Sequence, residues 1–282
     1  MSFFRRLLRD RALLVGVVIV TLLVLAAVFA TPLSTFPEHV RGFDPTHRLK
    51  PPDGTFYLGT DRMGADIWSR LLFGARLTIL IAVLATTVAV LIGVPMGLVA
   101  GYYRGWVSEL LMRVSDVFLA VPQIVLAIAI AQTLGPAIQN VILALSATYW
   151  PFWARLVYAE TRSQRNEIYI EAAIAMGASP FRVMVLHILP NILSSIIVRT
   201  TIGMGATILA AASLGFLGLG APPPAPEWGR MIAESREFLP QAWWYATAPG
   251  IAILLVVMGF NLLGDGLRDV FDPRIRRGGD GK

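Results

Sequence analysis

The sequence predicts an all-α integral membrane protein of about six transmembrane helices, and three observations carry that prediction. Only 15% of the 282 residues are charged, against about 25% in soluble domains, and the mean hydropathy is +0.65. The charges are grouped so that long uncharged stretches separate them, and a bilayer core of about 30 Å takes roughly 20 apolar residues in a helix. The basic residues also fall unequally on alternate connections, as membrane topology requires. A net charge of +6 with pI near 10.0 would suit a nucleic-acid binder, but here the arginines are spread between apolar runs, with no binding face. No cysteine is present, which excludes disulfide staples and cysteine-ligated metals.

After a cytoplasmic tail over residues 1–11, Ala12 to Pro37 carries no charge and forms the first span. A cleaved signal peptide is the rival reading, with Val28-Phe29-Ala30 as its processing site. The apolar core of about 19 residues exceeds the usual 7–15 and favours an anchor helix. Residues 12–76 thus hold span one and an outer connection from Thr31 to Arg76. In that connection Pro51-Pro52-Asp53-Gly54 is turn chemistry, and Asp61 to Arg76 has the mix of a short surface helix. It reads either as a solvated loop or as a docking surface for something outside.

A five-helix core follows over residues 77–264. Leu77 to Tyr103 is the second span. Val117 to Ala154 is uncharged and too long for one helix, so it forms a hairpin around Thr133-Leu134-Gly135-Pro136. Pro122 kinks its first arm, and Asp116 at its mouth pairs with Arg113 three residues before it. Ile188 to Pro226 is broken only by Arg199 and turns proline-rich from Pro222, which leaves a fifth span near 190–214. Phe238 to Gly264 is the sixth, and residues 265–282 are a second cytoplasmic tail.

The connection over residues 155–190 is unlike filler. Asn166 to Met176 is helical in propensity, Glu171-Ala172-Ala173 gives it a small, closely approachable face, and Gly177 is a natural stop. Ser179 then caps a second helix with Pro180 at its first position. The expected result is two short helices at a tight corner outside the membrane. Such an elbow is either inert structure or something that a partner protein pushes on.

Chemistry is missing from the chain. There is no GxxxxGK[ST] phosphate loop, and His39, His47 and His187 lack the spacing of a zinc site. No carboxylate lies within a predicted span, which disfavours proton-coupled carriage. Arg199 is the exception among the spans. It faces the pathway at mid-depth, or it snorkels to the cytoplasmic interface. Fifteen basic residues lie in the two tails and the even-numbered connections, against eight on the other side. Both termini are therefore expected in the cytoplasm.

Glu171-Ala172-Ala173, Gly177 and then Leu189-Pro190 resemble the EAA motif of ATP-binding-cassette (ABC) importer permeases. The segment His187-Ile188-Leu189-Pro190-Asn191 is similar to the variant found in dipeptide, oligopeptide and nickel permeases. Three further blocks resemble the same subfamily. They are Leu58-Gly59-Thr60-Asp61 with Gly64 and Asp66, Gly215 to Gly220 with Pro226-Glu227-Trp228-Gly229, and Asn261 to Asp269 with Asp272-Pro273-Arg274. The likeness runs from about residue 50 to 275 and matches the shorter, "C" permease. Ala65 departs from it, standing where the family frequently has Arg.

The resemblance implies a type I importer-like permease whose coupling helix, with Glu171, Ala172, Ala173, Gly177, Ser179 and Pro180, docks on an ATPase. It implies a homologous permease as heterodimer partner, two ATPase subunits that carry ATP and Mg, an extracytoplasmic solute-binding protein, and a bacterial inner membrane. This chain would hold no cofactor, metal or catalytic residue and bind no nucleic acid. Its cargo is expected to be di- or oligopeptides, with nickel or another small solute as the alternative. A self-sufficient carrier or channel is the rival from another class.

Overall fold

The computed structural model describes residues 10–40 and 42–271. The basic residues expected at 5, 6, 9, 41, 274, 276, 277 and 282, and the Asp272-Pro273-Arg274 end of the last motif, lie outside them. The described chain is a bundle of helices: α1 (Arg11–Val28), α2 (Ile67–Tyr102), α3 (Trp106–Ala120), α4 (Gln123–Leu134), α5 (Ile138–Gln164), α6 (Ile168–Ala175), α7 (Pro180–Phe216), α8 (Trp228–Ser235) and α9 (Trp243–Phe271). Among the described residues α1, α2, α7 and α9 are each long and apolar enough to cross a membrane, and α3 with α4 adds a fifth span if the bent pair counts as one. Helix α5, at 27 residues, is long enough but not apolar enough to join them, so the described residues show four or five candidate spans where about six were expected. It packs along α2 and touches α4, α3 and α7 as well, so protein rather than lipid covers much of it.

Close approach between helices rests on glycine. Gly93, Gly97 and Gly101, spaced four apart, put one smooth face of α2 against α5, where an added Cβ would come 2.5 Å from the Trp150 carbonyl oxygen and 2.6 Å from that of Ala154. Without a strong hydrophobic drive inside lipid, such small-residue faces supply the van der Waals contact that joins helices. Gly16 and Gly259 do the same between α1 and α9. In the closing motif Gly266 meets Leu13 of α1, while Gly264, on the other side of α9, meets Ile202 of α7.

Helix ends are secured by side chains. Asp10 caps α1, accepting from the backbone N–H groups of Ala12 and Leu13 at 2.9 and 3.2 Å. Arg76 of α2 caps its other end, donating to the carbonyls of Ala27 (2.6 Å) and Val28 (3.2 Å), which the helix leaves unpaired. Gly135, at φ +85°, turns the α4–α5 hairpin, and Asn140 donates to the Leu134 and Gly135 carbonyls across the turn.

Four expectations are corrected. The separate surface helix over Asp61 to Arg76 is absent: Asp66 caps a single 36-residue α2, about 54 Å long, that begins at Ile67 and runs into span two. Pro122 does more than kink the third span. It holds Val121 in an extended conformation, and α3 and α4 meet at 86°, so the first arm of the hairpin is a 12-residue, 18 Å stub. Asp116 pairs with Arg155 of α5, while Arg113 turns to Glu109 one turn back. The second elbow helix is not a short separate piece, because Pro180 begins a 37-residue α7 that includes the fifth span. A π-helical turn at Val183–Ile188 precedes Pro190, whose missing N–H removes one ordinary helical bond there.

Candidate functional site

The elbow forms as local sequence dictates. Helix α6 ends in a Schellman motif: Ala178 N–H bonds to the Ala173 carbonyl (3.0 Å) and Gly177 N–H to that of Ile174 (2.9 Å), with Gly177 at φ +86°. Ser179 then accepts from Arg182 N–H at 3.4 Å, with Pro180 in the first turn of α7. The corner is fixed to the bundle by fully buried Ile170, Val183 and Ile188, packed with Leu98 and Tyr102 of α2 and Val157 of α5. A polar chain adds to this: Tyr169 OH donates to Gln164 (2.6 Å), and Asn191 donates to Tyr169 OH (3.1 Å) and to the His187 carbonyl (2.6 Å).

Of the elbow residues singled out by sequence, Glu171, Ala172, Gly177, Ser179 and Pro180 are exposed and Ala173 is buried against the bundle. Beside them the elbow presents apolar side chains to solvent, with Ile168 and Met176 each 83% and Phe181 72% exposed. An apolar tip on a rigidly held corner is the surface that a protein partner would cover. The sequence reading passed over these three residues, although large apolar side chains in a polar connection were a visible signal.

Arg199 lies apart from the elbow, 19 residues beyond Pro180 on α7 and so roughly 28 Å along that helix. Its guanidinium sits 5.3 Å from the centre of the Phe152 ring, in a recess of about 430 Å³ shared with Glu160, Ser195 and Arg268. Ser195, Arg199 and Ile202 continue at helical spacing into Leu209, Ser213 and Phe216, which line a second, apolar recess of about 420 Å³ toward the other end of α7. One face of α7 therefore carries both recesses.

The opposite end of the bundle holds a charge cluster that sequence reasoning missed. Buried Asp61 accepts from the backbone of Met63 (2.7 Å) and Ala65 (2.9 Å) and from Arg70. Glu234 of α8 accepts from Arg230 Nε (3.0 Å) and from Tyr245 OH of α9 (3.0 Å). Burial opposes the Glu234 charge, but the Arg230 hydrogen bond, Arg70, Tyr245 and Arg62 outweigh it and hold its carboxyl below the ordinary range. Gly64, at φ +80°, leaves no room for a side chain beside the Asp44 carbonyl, which accounts for its place in the Leu58–Asp66 motif. Ala65 is buried there.

The Gly215–Gly229 motif is a second cradle. Side chains at Gly215 or Gly220 would overlap the Glu227 carboxyl, and Gly229 rides directly on the Ala212 carbonyl of α7. Glu227 accepts from Ala221 N–H at 2.8 Å. Burial pushes its pKa up to about 7 against that bond and the pull of Arg230. Trp228 Nε1 reaches the Leu71 carbonyl at 3.1 Å, so α8 is locked between α2 and α7.

A glycine-packed bundle of apolar helices, four or five of them long and apolar enough to cross a membrane, defines a helical membrane protein with one exposed, firmly seated elbow. The model of the family described as "Binding-protein-dependent transport system inner membrane component" matches residues 93–277, and that of the "N-terminal TM domain of oligopeptide transport permease C" matches residues 2–52. The chain belongs to the binding-protein-dependent transport permeases, as an ABC importer permease of the C type.

Similar proteins include the dipeptide transport system permease of Alkalihalophilus pseudofirmus, 45% identical over 97% of this chain and 89% of that one. The di/tripeptide permease of Pseudomonas aeruginosa is 38% identical (98% and 92%), and a glutathione permease of Escherichia coli 42% identical (98% and 90%). In structure the chain resembles the methionine ABC transporter in an inward-facing form, with TM-score 0.59 and 22% identity over 73% of this chain and 98% of that chain. That likeness concerns the fold.

Proposed function

We propose that this chain pairs with a homologous permease to enclose the pathway for di- or oligopeptides in an importer with two cytoplasmic ATPase subunits and an extracytoplasmic solute-binding protein. Both termini face the cytoplasm, which puts the elbow on the ATPase side and the Asp61–Glu234 cluster outside. Glu171, Ala172, Gly177, Ser179 and Pro180, with the apolar tip around them, form the ATPase contact, and Ala173 seats α6 on the bundle. Closure of the ATPases moves the elbow, and α2, α5 and α7, joined to it by one apolar cluster, move as a body. ATP and Mg stay on the partner subunits, and this chain performs no chemistry. Arg199 faces the pathway and attracts the peptide carboxylate.

The observation that carries the reading is the elbow itself, a stopped and capped corner fixed beneath by buried Ile170, Val183 and Ile188 and uncovered above. The names of relatives about 40% identical over nearly the whole chain support peptide cargo. The test is uptake by the reconstituted complex with labelled peptides against Ni²⁺. ATP-dependent peptide uptake is expected. Uptake of Ni²⁺ alone, or uptake by this chain without ATPases, would refute it.

A further inference from the structure

A recess of about 600 Å³ opens where the start of α3 faces the end of α5, and four arginines and two carboxylates line it. Arg155 of α5 pairs with Asp116 and Arg113 with Glu109, which leaves Arg104 and Arg162. Each of these has only a neutral partner: Arg104 donates to the Asn166 side-chain oxygen at 3.2 Å and Arg162 to Tyr158 OH at 2.7 Å. Charges just outside the lining leave the surplus of two unchanged. Arg165 and Glu167, on either side of Asn166, cancel, and Glu160 is turned to Ser195 of α7 and the recess of Arg199. Arg104 and Arg162 are both exposed, and a guanidinium has five N–H donors, so most of theirs stay uncommitted. Two such forks at one opening suit the oxygens of a phosphate.

The surroundings give the anion's source. Tyr103 and Trp106 are exposed beside the recess and Tyr158 lines it, and amphipathic rings of this kind settle at the membrane–water interface. Along α3, Trp106 (75%), Leu110 and Val117 (69%) are exposed at helical spacing. They lie about a third of a turn round from Gly105, Glu109, Met112 and Asp116 of the recess, with Arg113 between the two faces. At roughly 30 Å³ for each water in the liquid, the recess has room for about twenty, enough for a phosphodiester headgroup. A basic recess beside an apolar track fits an anionic lipid, headgroup in one and acyl chains on the other. We propose that this recess binds an anionic phospholipid, with Arg104 and Arg162 holding its phosphate and its acyl chains lying along Trp106, Leu110 and Val117. The inference rests on the orientation and importer assembly given under Proposed function, which put the recess at the cytoplasmic leaflet. Asn166, bonded to Arg104, stands two residues before α6, so a headgroup held there would tie α3 and α5 to the root of the elbow.

The test uses the assembled importer in phosphatidylcholine nanodiscs containing graded amounts of phosphatidylglycerol. A phosphatidylglycerol with a diazirine in its acyl chain labels what it touches, and the adduct on the α3 segment is quantified by mass spectrometry. Saturable labelling is expected, competed by unlabelled phosphatidylglycerol and not by inorganic phosphate. Arg104→Gln with Arg162→Gln should raise the half-saturating fraction roughly 30-fold, about fivefold for each arginine, while Lys at both positions keeps the charge and should recover most of the affinity. Labelling that never saturates, or that is equal in wild type and the Gln variant, overturns the lipid site, as does displacement by inorganic phosphate. So does unchanged labelling with a loss of ATPase stimulation in every lipid, since the arginines would then contact an ATPase subunit. Labelling needs no transport. A complex that labels as expected but takes up no peptide therefore faults the importer reading and leaves the lipid site standing.

Discussion

Gly177 offers a test in which backbone conformation is separable from contact. Its φ is +86°, and a Cβ built there meets nothing within 4 Å, so a side chain costs only the left-handed conformation. For an ordinary L-residue that cost is about 1–2 kcal/mol, it is higher for a β-branched one, and Asn tolerates the region best. A penalty of 1–2 kcal/mol shifts the balance between the formed and unwound elbow by roughly 5- to 30-fold. Gly177→Val should therefore lower ATP-driven uptake and the ATPase stimulation caused by the solute-binding protein, while Gly177→Asn stays near wild type. Both are measured in proteoliposomes after co-purification shows full assembly. Normal uptake by Gly177→Val would refute the coupling role. Equal impairment by Val and Asn would refute the backbone argument, since the loss would then come from contact with a partner.

Arg199→Gln keeps length and hydrogen bonding but removes the charge, and it should weaken peptide uptake in an assembled, coupled complex; unchanged uptake across salt concentrations would return Arg199 to an interfacial role. Glu227, with its folded pKa raised from 4.5 to about 7, favours the folded state when protonated. That contribution is complete below pH 4.5 and is lost as pH rises to about 7, amounting to up to about 3 kcal/mol. Glu227→Gln should flatten that slope in thermal-shift measurements, and a wild-type protein whose stability does not change over this window contradicts the assignment. Gly97→Leu places a side chain against the Ala154 carbonyl and should prevent α2 from seating on α5, read as loss of monodisperse protein in detergent. Gly250→Ala, which meets open space, should leave the protein monodisperse, and equal behaviour of the two variants would count against glycine-mediated packing.

Features that depend on a short stretch of chain were legible in the sequence. Uncharged runs placed α1, α2, α7 and α9, because transfer into lipid is a sum over consecutive residues. The stop at Gly177 and the Ser179-Pro180 start followed from backbone preferences of single residues, and the four motif blocks identified the family. Even the α2–α5 seam was written in the spacing of Gly93, Gly97 and Gly101, though the sequence reading did not use it. The bend at Val121 and Pro122 was visible as a proline, but its 86° depends on how α4 packs against α5.

Pairing between distant residues was decided by tertiary structure alone. Asp116 had Arg113 within a helical turn and chose Arg155, because α5 brings that arginine alongside α3. Asp61, Arg70, Glu234 and Tyr245 come from four separate segments, and nothing local to any of them marks a shared buried cluster. A residue's neighbours along the chain set its conformation and its preference for lipid, whereas its partners in charge are set by the packing of helices that only the folded bundle brings together.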